Sequence, residues 1–579
     1  MGIRQPESPP SPPVVSVFVG NLSAGGERFS VVTVVFKRGV PDSVVQQVYN
    51  EMRQLYSGER LVAAAGGRQV RVREVRMSRL VRDAQGRYMF RVADSPDAVK
   101  KALSRYSDYV EAVLAKPVPK PFDRLPEGVS GRGIIAPSNA IIRDLIGVSQ
   151  VERVYGVNGS GINIAVVDTG VDYGHPDLAT ALRYWTGTYK GDSIREPLVF
   201  DADQSQVLLL QPVSLVNSTH IHVGGRYYET LLPWSIYIYS PCDYNRIPAV
   251  VNSIISSSND LRFGVTYMYV PGLGTVVSGV LVIRGSRVGH NYFSHAIVDA
   301  NMNCNFGDDY LASPPHAQTN EWTRDAFLRY HLNRIIVPDY DRNGFPDVSL
   351  GVAGGFFYDL FWHFSYPAEI HPGWDKQGRW LSIFYDFHSH GTACASAAAG
   401  RSIVGYSITG LSVVRLRGMA PGAGVVGVKA LWAGNVEVGM LWAAGFDVDP
   451  ATGQFYYTGS RRADVISNSW GISYFGYDVG AFGADFESAF VAGLSLPGFL
   501  DPRYPGVLII QAGGNGGPGY GTITSPGAAP GVVTVGASTS THFAYVYTRW
   551  VRLYSPRAAA GLAMRSSAGL LGGRLRLAT

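Results

Sequence analysis

Five short runs of aliphatic and β-branched residues constrain the fold of this chain more than any other feature. They are INIAVV (162–167), VVGVKAL (425–431), ADVISNS (463–469), VLIIQA (507–512) and VVTVGA (532–537). The runs do not alternate apolar and polar residues, most are bounded by Gly or Pro, and helical stretches such as DFESAFVAG lie between some of them. This pattern predicts an α/β fold with a parallel sheet covered by helices. In such sheets the functional side chains are expected at the carboxyl ends of the strands.

A smaller module precedes the predicted sheet, over residues 30–115. SVVTVVFK (30–37), RQVRVREV, YMFRVA and YVEAVL (109–114) predict four strands, and Ser95-Pro96 is typical of a helix start. After Pro41 a helical pattern predicts one apolar face made of Val44, Val48, Met52 and Leu55. The order βαββαβ favours a ferredoxin-like α+β fold. Residues 1–29 are a proline-rich segment, 116–139 a proline-rich linker, and 140–548 the larger domain.

Composition excludes several classes of protein. Hydrophobic residues make up 46% and charged residues 16% of the 579, which excludes a disordered chain. The net charge of +5 is too small to indicate nucleic acid as a partner, and no apolar run reaches the length of a membrane span. Three cysteines allow at most one disulfide, and Cys394, among alanines, is expected to be a small buried thiol rather than a nucleophile.

Three polar residues stand out for chemistry. Asp168 ends the first run, in VVDTGVDYGHPDL, and a carboxylate followed there by Thr-Gly is well placed to orient a histidine. His390, in HSHGTACASAAAG, precedes Gly-Thr and a run of small residues that predicts a tightly packed helix. Asn515, in QAGGNGG, follows a strand, where its amide has the chemistry to donate to an oxyanion. Taken singly, each residue has a simpler structural interpretation as a turn or core residue.

In content and order, these segments resemble the subtilisin-like serine proteases, the subtilase family. Asp168 matches the aspartate of the family's D-T/S-G motif, His390 the histidine of H-G-T, and Asn515 the oxyanion-hole asparagine of A-A-G-N. GMAPGAGVVGVKAL (418–431) and SPGAAPGVVTVGAST (525–539) match further family segments. The resemblance also implies substrate contacts, by the strand Ser469, Trp470, Gly471 and by the loop residues Gly513 and Gly514.

The resemblance implies a reaction, partners and a location. A serine attacks the peptide carbonyl, His390 takes its proton, Asp168 holds the imidazole and Asn515 donates to the oxyanion. The implied partners are polypeptide substrates and the chain's own propeptide, since the module at 30–115 resembles the family's propeptide. The family implies an extracellular or cell-surface location, although the N-terminal sequence contains no clear signal peptide.

The sequence departs from the family at the nucleophile, because no G-T-S-x-A motif occurs in it. The serines after Asn515 neither follow Gly-Thr nor open an apolar helix; they are Ser525, Ser538, Ser540, Ser555, Ser566 and Ser567. Residues 541–579 hold six arginines and no Lys, Asp or Glu. We interpret the tail at 549–579 as aberrant, the product of a shifted reading frame or truncation; a natural basic tail is the alternative.

By its resemblance to the family, the chain is expected to be a serine endopeptidase. Because the nucleophile is missing, it is expected to be inactive as written. The missing nucleophile also predicts poor stability, because a core helix of the family fold is lost. One alternative is a non-catalytic peptide-binding pseudoprotease that uses Ser469–Gly471 for strand pairing. Another is that only residues 30–115 function, as a chaperone or inhibitor of a second protease.

Asp168 and His390 are 222 residues apart, a spacing that resembles the pyrolysin-like and tripeptidyl-peptidase-like branches of the family. The strand-like runs in the insertion, at about 185–375, predict a mainly β domain near the cleft. Two of its loops cluster hard oxygen donors that favour structural Ca²⁺, and a pair of polar Asx turns is the alternative. The predicted ligands are Asp299, Asn301, Asn303, Asp339, Asp341 and Asn343.

Overall fold

The computed structural model describes most of the chain between residues 22 and 536. The described part excludes 25–26, 84, 116–119, 122–137, 173, 233, 271–272, 310, 313–334, 337–339, 341–346, 353, 360–368, 407–413, 473–482 and 515–520. Predictions that fall on the remaining residues, including the tail at 549–579, lie outside the described residues.

The predicted central sheet is present, and all five runs contribute to it. Its order is Ile370–Pro372, Phe356–Tyr358, Phe200–Asp201, Gly424–Lys429, Asn163–Asp168, Val465–Asn468, Leu508–Ala512 and Val533–Val535. Neighbouring strands are parallel except for Ile370–Pro372 at one edge. The strand that ends in Asp168 therefore lies inside the sheet, with a partner on each side.

Helices cover both faces of this sheet, and alternate residues of its buried strands pack against the helices on opposite faces. Ala165 and Val167 pack in one core with helices Val436–Ala443 and Phe486–Ser495. Val166 packs in another core with helices His390–Ala399 and Pro176–Ala179. Two further helices, Ser138–Leu145 and Val148–Tyr155, precede the first strand of the sheet.

One end of the sheet stays uncovered on the face that carries the His390–Ala399 helix. Leu508, Val533 and Val535 are 47%, 49% and 52% exposed. No helix among the described residues covers these side chains. These side chains form an exposed apolar patch at this edge of the sheet.

The N-terminal module contains the predicted elements in a different arrangement. Its own sheet consists of Leu22–Ala24, Glu27–Phe36, Tyr88–Asp94, Val81–Arg82 and Val110–Ala115. The helices Asp42–Leu55 and Pro96–Ala102 accompany it, and the Ser95 side chain caps the second helix as predicted. The RQVRVREV strand does not join this sheet. It forms a hairpin of Ser57–Ala63 with Gln69–Val75, which departs from the ferredoxin-like expectation.

The apolar face of the first module helix also differs from the prediction. Val45, Val48, Tyr49 and Met52 are buried, whereas Leu55 is exposed at the end of the helix. Val44 is partly buried against the same core, so the prediction is wrong only for Leu55, the last residue of the helix.

The inserted segment is rich in strands, as predicted, and most of them are antiparallel. One sheet has the order Ile335–Ile336, Leu350–Val352, Trp380–Phe384, Val207–Leu209, Tyr227–Leu231, Ser235–Tyr239, Gln69–Val75 and Ser57–Ala63. A second sheet consists of Gln211–Pro212, Leu261–Val270, Gly274–Arg284, Phe293–Val298 and Leu311–Ala312. A third consists of Ser214–Asn217, His220–His222 and Tyr244–Arg246, and the helix Ala249–Ile254 follows it.

The insertion is interleaved with the rest of the fold. Phe200–Asp201 and Phe356–Tyr358 lie within 185–375 and yet belong to the central sheet. A disulfide joins Cys242 to Cys304 inside the insertion, and three cysteines allow no more than one such bond. Four two-stranded ribbons complete the described strands: Tyr184–Tyr189 with Asp192–Pro197, Arg401–Tyr406 with Val414–Arg417, Phe446–Val448 with Phe455–Tyr457, and Lys120–Pro121 with Trp470–Gly471.

Candidate active site

Asp168 and His390 lie in contact at the carboxyl end of the central sheet. Asp168 is the last residue of Asn163–Asp168 and is fully buried. His390 is the first residue of the helix His390–Ala399, and its side chain is 13% exposed. The Asp168 Oδ1 and His390 Nδ1 atoms are 2.7 Å apart. The carboxylate therefore holds Nδ1 as the protonated nitrogen, which leaves Nε2 to accept a proton.

The glycines of both motifs permit the close approach of the two segments. A Cβ atom on Gly391 would lie 2.0 Å from the carbonyl oxygen of Gly170. Gly170 has a φ of +116° and a Cβ there would lie 2.3 Å from the carbonyl oxygen of Tyr385. A side chain at either position would push the His390 helix away from Asp168.

A second carboxylate, Asp386, fixes the start of the His390 helix. It accepts hydrogen bonds from the backbone N–H groups of Ser389 and Thr392 and from the hydroxyl groups of Thr392 and Thr169. The Thr169 hydroxyl in turn accepts the N–H of Gly391. The sequence analysis missed Asp386, although an Asp four residues before the histidine, at the start of a helix, was an available signal.

Asp168 sets the proton affinity of His390. Burial of the imidazole disfavours its charged form, but the hydrogen bond to Asp168, the contact with Cys394 and the negative charge of Asp168 together outweigh burial. The pKa of His390 is therefore raised above its ordinary value. Asp168 thus stabilises the imidazolium that forms when Nε2 takes up a proton.

Cys394 lies one helical turn after His390. Its Sγ atom is 3.8 Å from His390 Nδ1, and the residue is half-buried and not in a disulfide. The expectation of a buried structural thiol therefore holds only in part. The thiol thus contacts the same ring nitrogen that faces Asp168.

A buried polar cluster lies next to Asp168 in the sheet. Lys429 is the neighbour of Asp168 in the adjacent strand, and its Nζ atom lies 4.0 Å from the centre of the Tyr385 ring. Burial raises the pKa of Asp201 to about 6, and burial with the charge of Asp201 raises that of Asp203 to about 7. Asp201, Asp203 and Lys429 are all buried. They lie where the inserted strand Phe200–Asp201 pairs with the central sheet.

The predicted substrate strand, Trp470–Gly471, lies beside the strand that ends in Asp168. The indole Nε1 of Trp470 donates to the carbonyl of Val167, the residue before Asp168. The side-chain amide of Gln511 donates to the carbonyl of Trp470. Ser469, directly before the strand, is half-buried. The backbone edge of this strand is paired with Lys120–Pro121 from the linker, in the antiparallel sense.

The glycine loop is described only in part. Gly513 donates its N–H to Val535 and accepts the N–H of Thr524. Gly514 has a φ of +100°, and a Cβ atom there would lie 2.7 Å from the Thr524 hydroxyl, which explains the glycine. Asn515, the predicted oxyanion donor, lies outside the described residues.

Ser525, the only described serine after Asn515, has its hydroxyl within hydrogen-bonding distance of Asp485 and Ser488. It is fully buried, and its hydroxyl donates to the carboxylate of Asp485. This hydroxyl is therefore not a nucleophile for the Asp168–His390 pair. Ser538, Ser540, Ser555, Ser566 and Ser567 lie outside the described residues.

The first predicted calcium loop is a series of Asx turns. Both carboxylate oxygens of Asp299 accept backbone N–H groups, from Asn303 and Cys304. The Oδ1 atoms of Asn301 and Asn303 also accept backbone N–H groups, and both side-chain amides donate to Asp308. The Asx-turn alternative therefore describes the hydrogen bonds of this loop. Asp339, Asp341 and Asn343 lie outside the described residues, so calcium binding stays a prediction.

Comparison with known proteins decides the family. The family model described as the subtilase family matches residues 159–569, more than half of the chain. This chain belongs to the subtilase family. The matched range includes Asp168, His390 and the whole central sheet. The family predicted from the sequence motifs is therefore confirmed.

Individual relatives match this chain at low sequence identity and over only part of their length. Pyrolysin of Pyrococcus furiosus is 24% identical over 402 residues, which cover 68% of this chain and 26% of pyrolysin. The subtilisin-like protease SBT3.4 of Arabidopsis thaliana is 32% identical over 154 residues, 27% of this chain and 18% of the relative. The serine protease AprX of Bacillus subtilis is 28% identical over 183 residues, 29% of this chain and 36% of AprX. The alignments thus span at most about a third of each relative's length.

Among the described residues, no helix is both long and apolar enough to cross a membrane.

Proposed function

We propose that this subtilase carries the acid–base half of a serine endopeptidase site that hydrolyses polypeptides. The contact between Asp168 and His390, at 2.7 Å, carries the proposal. In the reaction, His390 Nε2 takes the proton of a serine hydroxyl as that oxygen attacks a peptide carbonyl. Asp168 stabilises the resulting imidazolium, and the imidazolium then gives the proton to the leaving amine.

Asn515 completes the proposed site as the donor to the oxyanion. Its place in the family motif supports this role, and so does the neighbouring strand Leu508–Ala512, which runs alongside Val465–Asn468 to the same end of the sheet. A donor of this kind contributes about 3 kcal/mol to stabilising the transition state.

The chain as written is proposed to lack peptidase turnover, because the reaction needs a serine that its sequence motifs do not provide. The buried and engaged hydroxyl of Ser525 supports this view. So does the uncovered apolar end of the sheet at Leu508, Val533 and Val535, where a further helix is expected.

The substrate is proposed to bind as an extended strand along Trp470–Gly471. The pairing of Lys120–Pro121 with these residues supports the proposal, since it is a peptide segment held by backbone hydrogen bonding. The same pairing supports a propeptide role for the N-terminal module, whose linker would then compete with substrate. It also favours a second candidate function, binding of peptides without cleavage, which needs this strand and no nucleophile.

Two finer assignments complete the proposal. We propose Ca²⁺ as a structural ion of the inserted loops, supported by the buried carboxylate of Asp309, whose pKa burial and the charge of Asp299 raise to about 8. A bound cation would favour the charged form of both groups. We propose an extracellular or cell-surface location, supported by the Cys242–Cys304 disulfide, because such bonds persist in oxidising compartments.

Peptide hydrolysis tests the proposed inactivity. The purified chain is incubated with an unfolded protein substrate, beside His390→Ala and Asp168→Asn variants as matched controls. We expect the parent and both variants to give the same background rate. Turnover by the parent that both variants lose would show that the chain contains a working nucleophile. Peptide binding is measured separately, by fluorescence anisotropy, for the parent and for the His390→Ala variant. If the chain binds peptides without cleaving them, both proteins are expected to bind with the same affinity, because that function does not depend on the imidazole.

A further inference from the structure

The hairpin of the N-terminal module is part of the insertion's sheet. Gln69–Val75 pairs on one side with Ser57–Ala63 and on the other with the inserted strand Ser235–Tyr239. The register places Val72 opposite Ile238 and Val75 opposite Ser235. The two hairpin strands are thus the last two strands of an eight-stranded sheet whose other six strands come from residues 207–384.

Side chains on one face of the hairpin complete the insertion's core. Val70 and Val72 are buried in the same cluster as Tyr228, Ile236 and Ile238. Conversely, Tyr237, which belongs to the insertion, packs against the core of the N-terminal module. The two parts therefore share apolar cores rather than a polar surface contact.

The outward face of the hairpin makes a second kind of contact. The guanidinium of Arg73 lies 4.7 Å from the centre of the Tyr227 ring, and that of Arg71 lies 5.6 Å from the Tyr239 ring. Arg68, in the turn of the hairpin, donates to the Sγ atom of Cys304 in the insertion's disulfide. Over residues 70–73, valines inward and arginines outward thus match the two faces of the inserted strand.

Loss of the module would leave a hazardous edge. Ser235–Tyr239 would become an edge strand with unpaired backbone groups, beside the apolar side chains of Ile236 and Ile238. Exposed apolar edges of this kind promote aggregation, and folded proteins keep them covered. A module that simply dissociates after processing does not fit this arrangement.

We infer that the inserted segment is a docking site for the N-terminal hairpin, and that the module stays bound as a permanent component after the linker is cut. The partner that this edge fits is a β-hairpin, here 57–75 of the same chain, whose inner strand alternates valine and arginine over residues 70–73. The inference concerns retention of the module and does not depend on peptidase activity.

A cleavable linker tests retention. A recognition sequence for a site-specific protease is placed between residues 122 and 137 of the full chain, and the cut protein is diluted and passed over a size-exclusion column. We expect both fragments to elute together at nanomolar concentration without denaturant. Separate elution of the two fragments would overturn the inference.

Arginine variants test whether the hairpin holds the module. Arg71→Ala with Arg73→Ala removes both ring contacts, and we expect the dissociation constant of the fragments to rise by about five- to thirtyfold. Arg82→Ala with Arg105→Ala is the matched control, because these arginines lie over Tyr88 and Tyr106 within the module itself. Equal dissociation constants for the two double variants would overturn the docking site.

Hydrogen exchange gives a second readout that does not require cleavage. In the uncut parent the amides of Ser235–Tyr239 are expected to be protected, and the Arg71→Ala, Arg73→Ala variant is expected to lose more of this protection than the control. Unchanged exchange at Ser235–Tyr239 in the hairpin variant would contradict the inference.

Discussion

At the start of the His390–Ala399 helix, five hydrogen bonds converge on the buried carboxylate of Asp386. They link the helix to Thr169, the residue after Asp168, so that the acid and the base are held from two directions. At the scale of single residues, the site thus depends on a positioning carboxylate as well as on the proton-transfer pair.

Asp386→Ala is expected to lower the free energy of unfolding by about 3 kcal/mol, because it leaves several buried donors without an acceptor. Chemical denaturation of the parent and the variant measures this difference. Asp447→Ala serves as a control, since Asp447 pairs with Arg462 at a partly exposed site and is expected to contribute about 1 kcal/mol or less. Equal losses in the two variants would contradict the role assigned to Asp386.

At the scale of elements, the Cys242–Cys304 disulfide closes a loop with a sequence separation of 62 residues within the insertion. Cys242→Ala with Cys304→Ala is expected to lower the free energy of unfolding by about 2–4 kcal/mol, because the unfolded insertion gains conformational freedom. Unfolding curves with and without reductant measure the effect. Reductant is expected to destabilise the parent and a Cys394→Ala control, and to leave the double variant unchanged. A double variant as stable as the parent would argue against the disulfide.

The two inserted loops with oxygen donors give a separate prediction. Ca²⁺ is expected to raise the melting temperature of the parent, and Asp339→Ala with Asp341→Ala to remove that increase, because binding to the folded state alone stabilises it. Thermal unfolding with Ca²⁺ or a chelator measures the shift, and Asp447→Ala is the control for loss of negative charge. No shift in the parent would leave the Asx turns as the full account of these loops.

The same elements show what the sequence can predict and where it fails. The strand with Asp168 and the helix with His390 were predictable, because a strand end and a Gly-Thr helix start leave strong local patterns. The pairing of Gln69–Val75 was not. Its alternation of Val and Arg predicts a strand with one buried face, but it is equally compatible with either of two neighbouring sheets.

At the scale of the whole molecule, the N-terminal module, the insertion and the rest of the larger domain are joined through two shared sheets. The N-terminal module supplies the last strands of an inserted sheet, and the insertion in turn supplies Phe200–Asp201 and Phe356–Tyr358 to the central sheet. Such interleaving was not predictable from the run of domains along the sequence, because short strands of two or three residues carry almost no pattern. The loss of a core helix stays a prediction, because residues 537–579 lie outside the described residues; Leu508, Val533 and Val535 are about half-exposed.

The central claim is that Asp168 holds His390 as the proton acceptor of the site. Titration of the His390 ring by NMR, in the parent and in Asp168→Asn, tests this claim without requiring a nucleophile. The account predicts a raised pKa and a downfield Nδ1–H signal in the parent, and a pKa at least about one unit lower in the variant, a change of about 1.4 kcal/mol. The same titration curve in both proteins would contradict it.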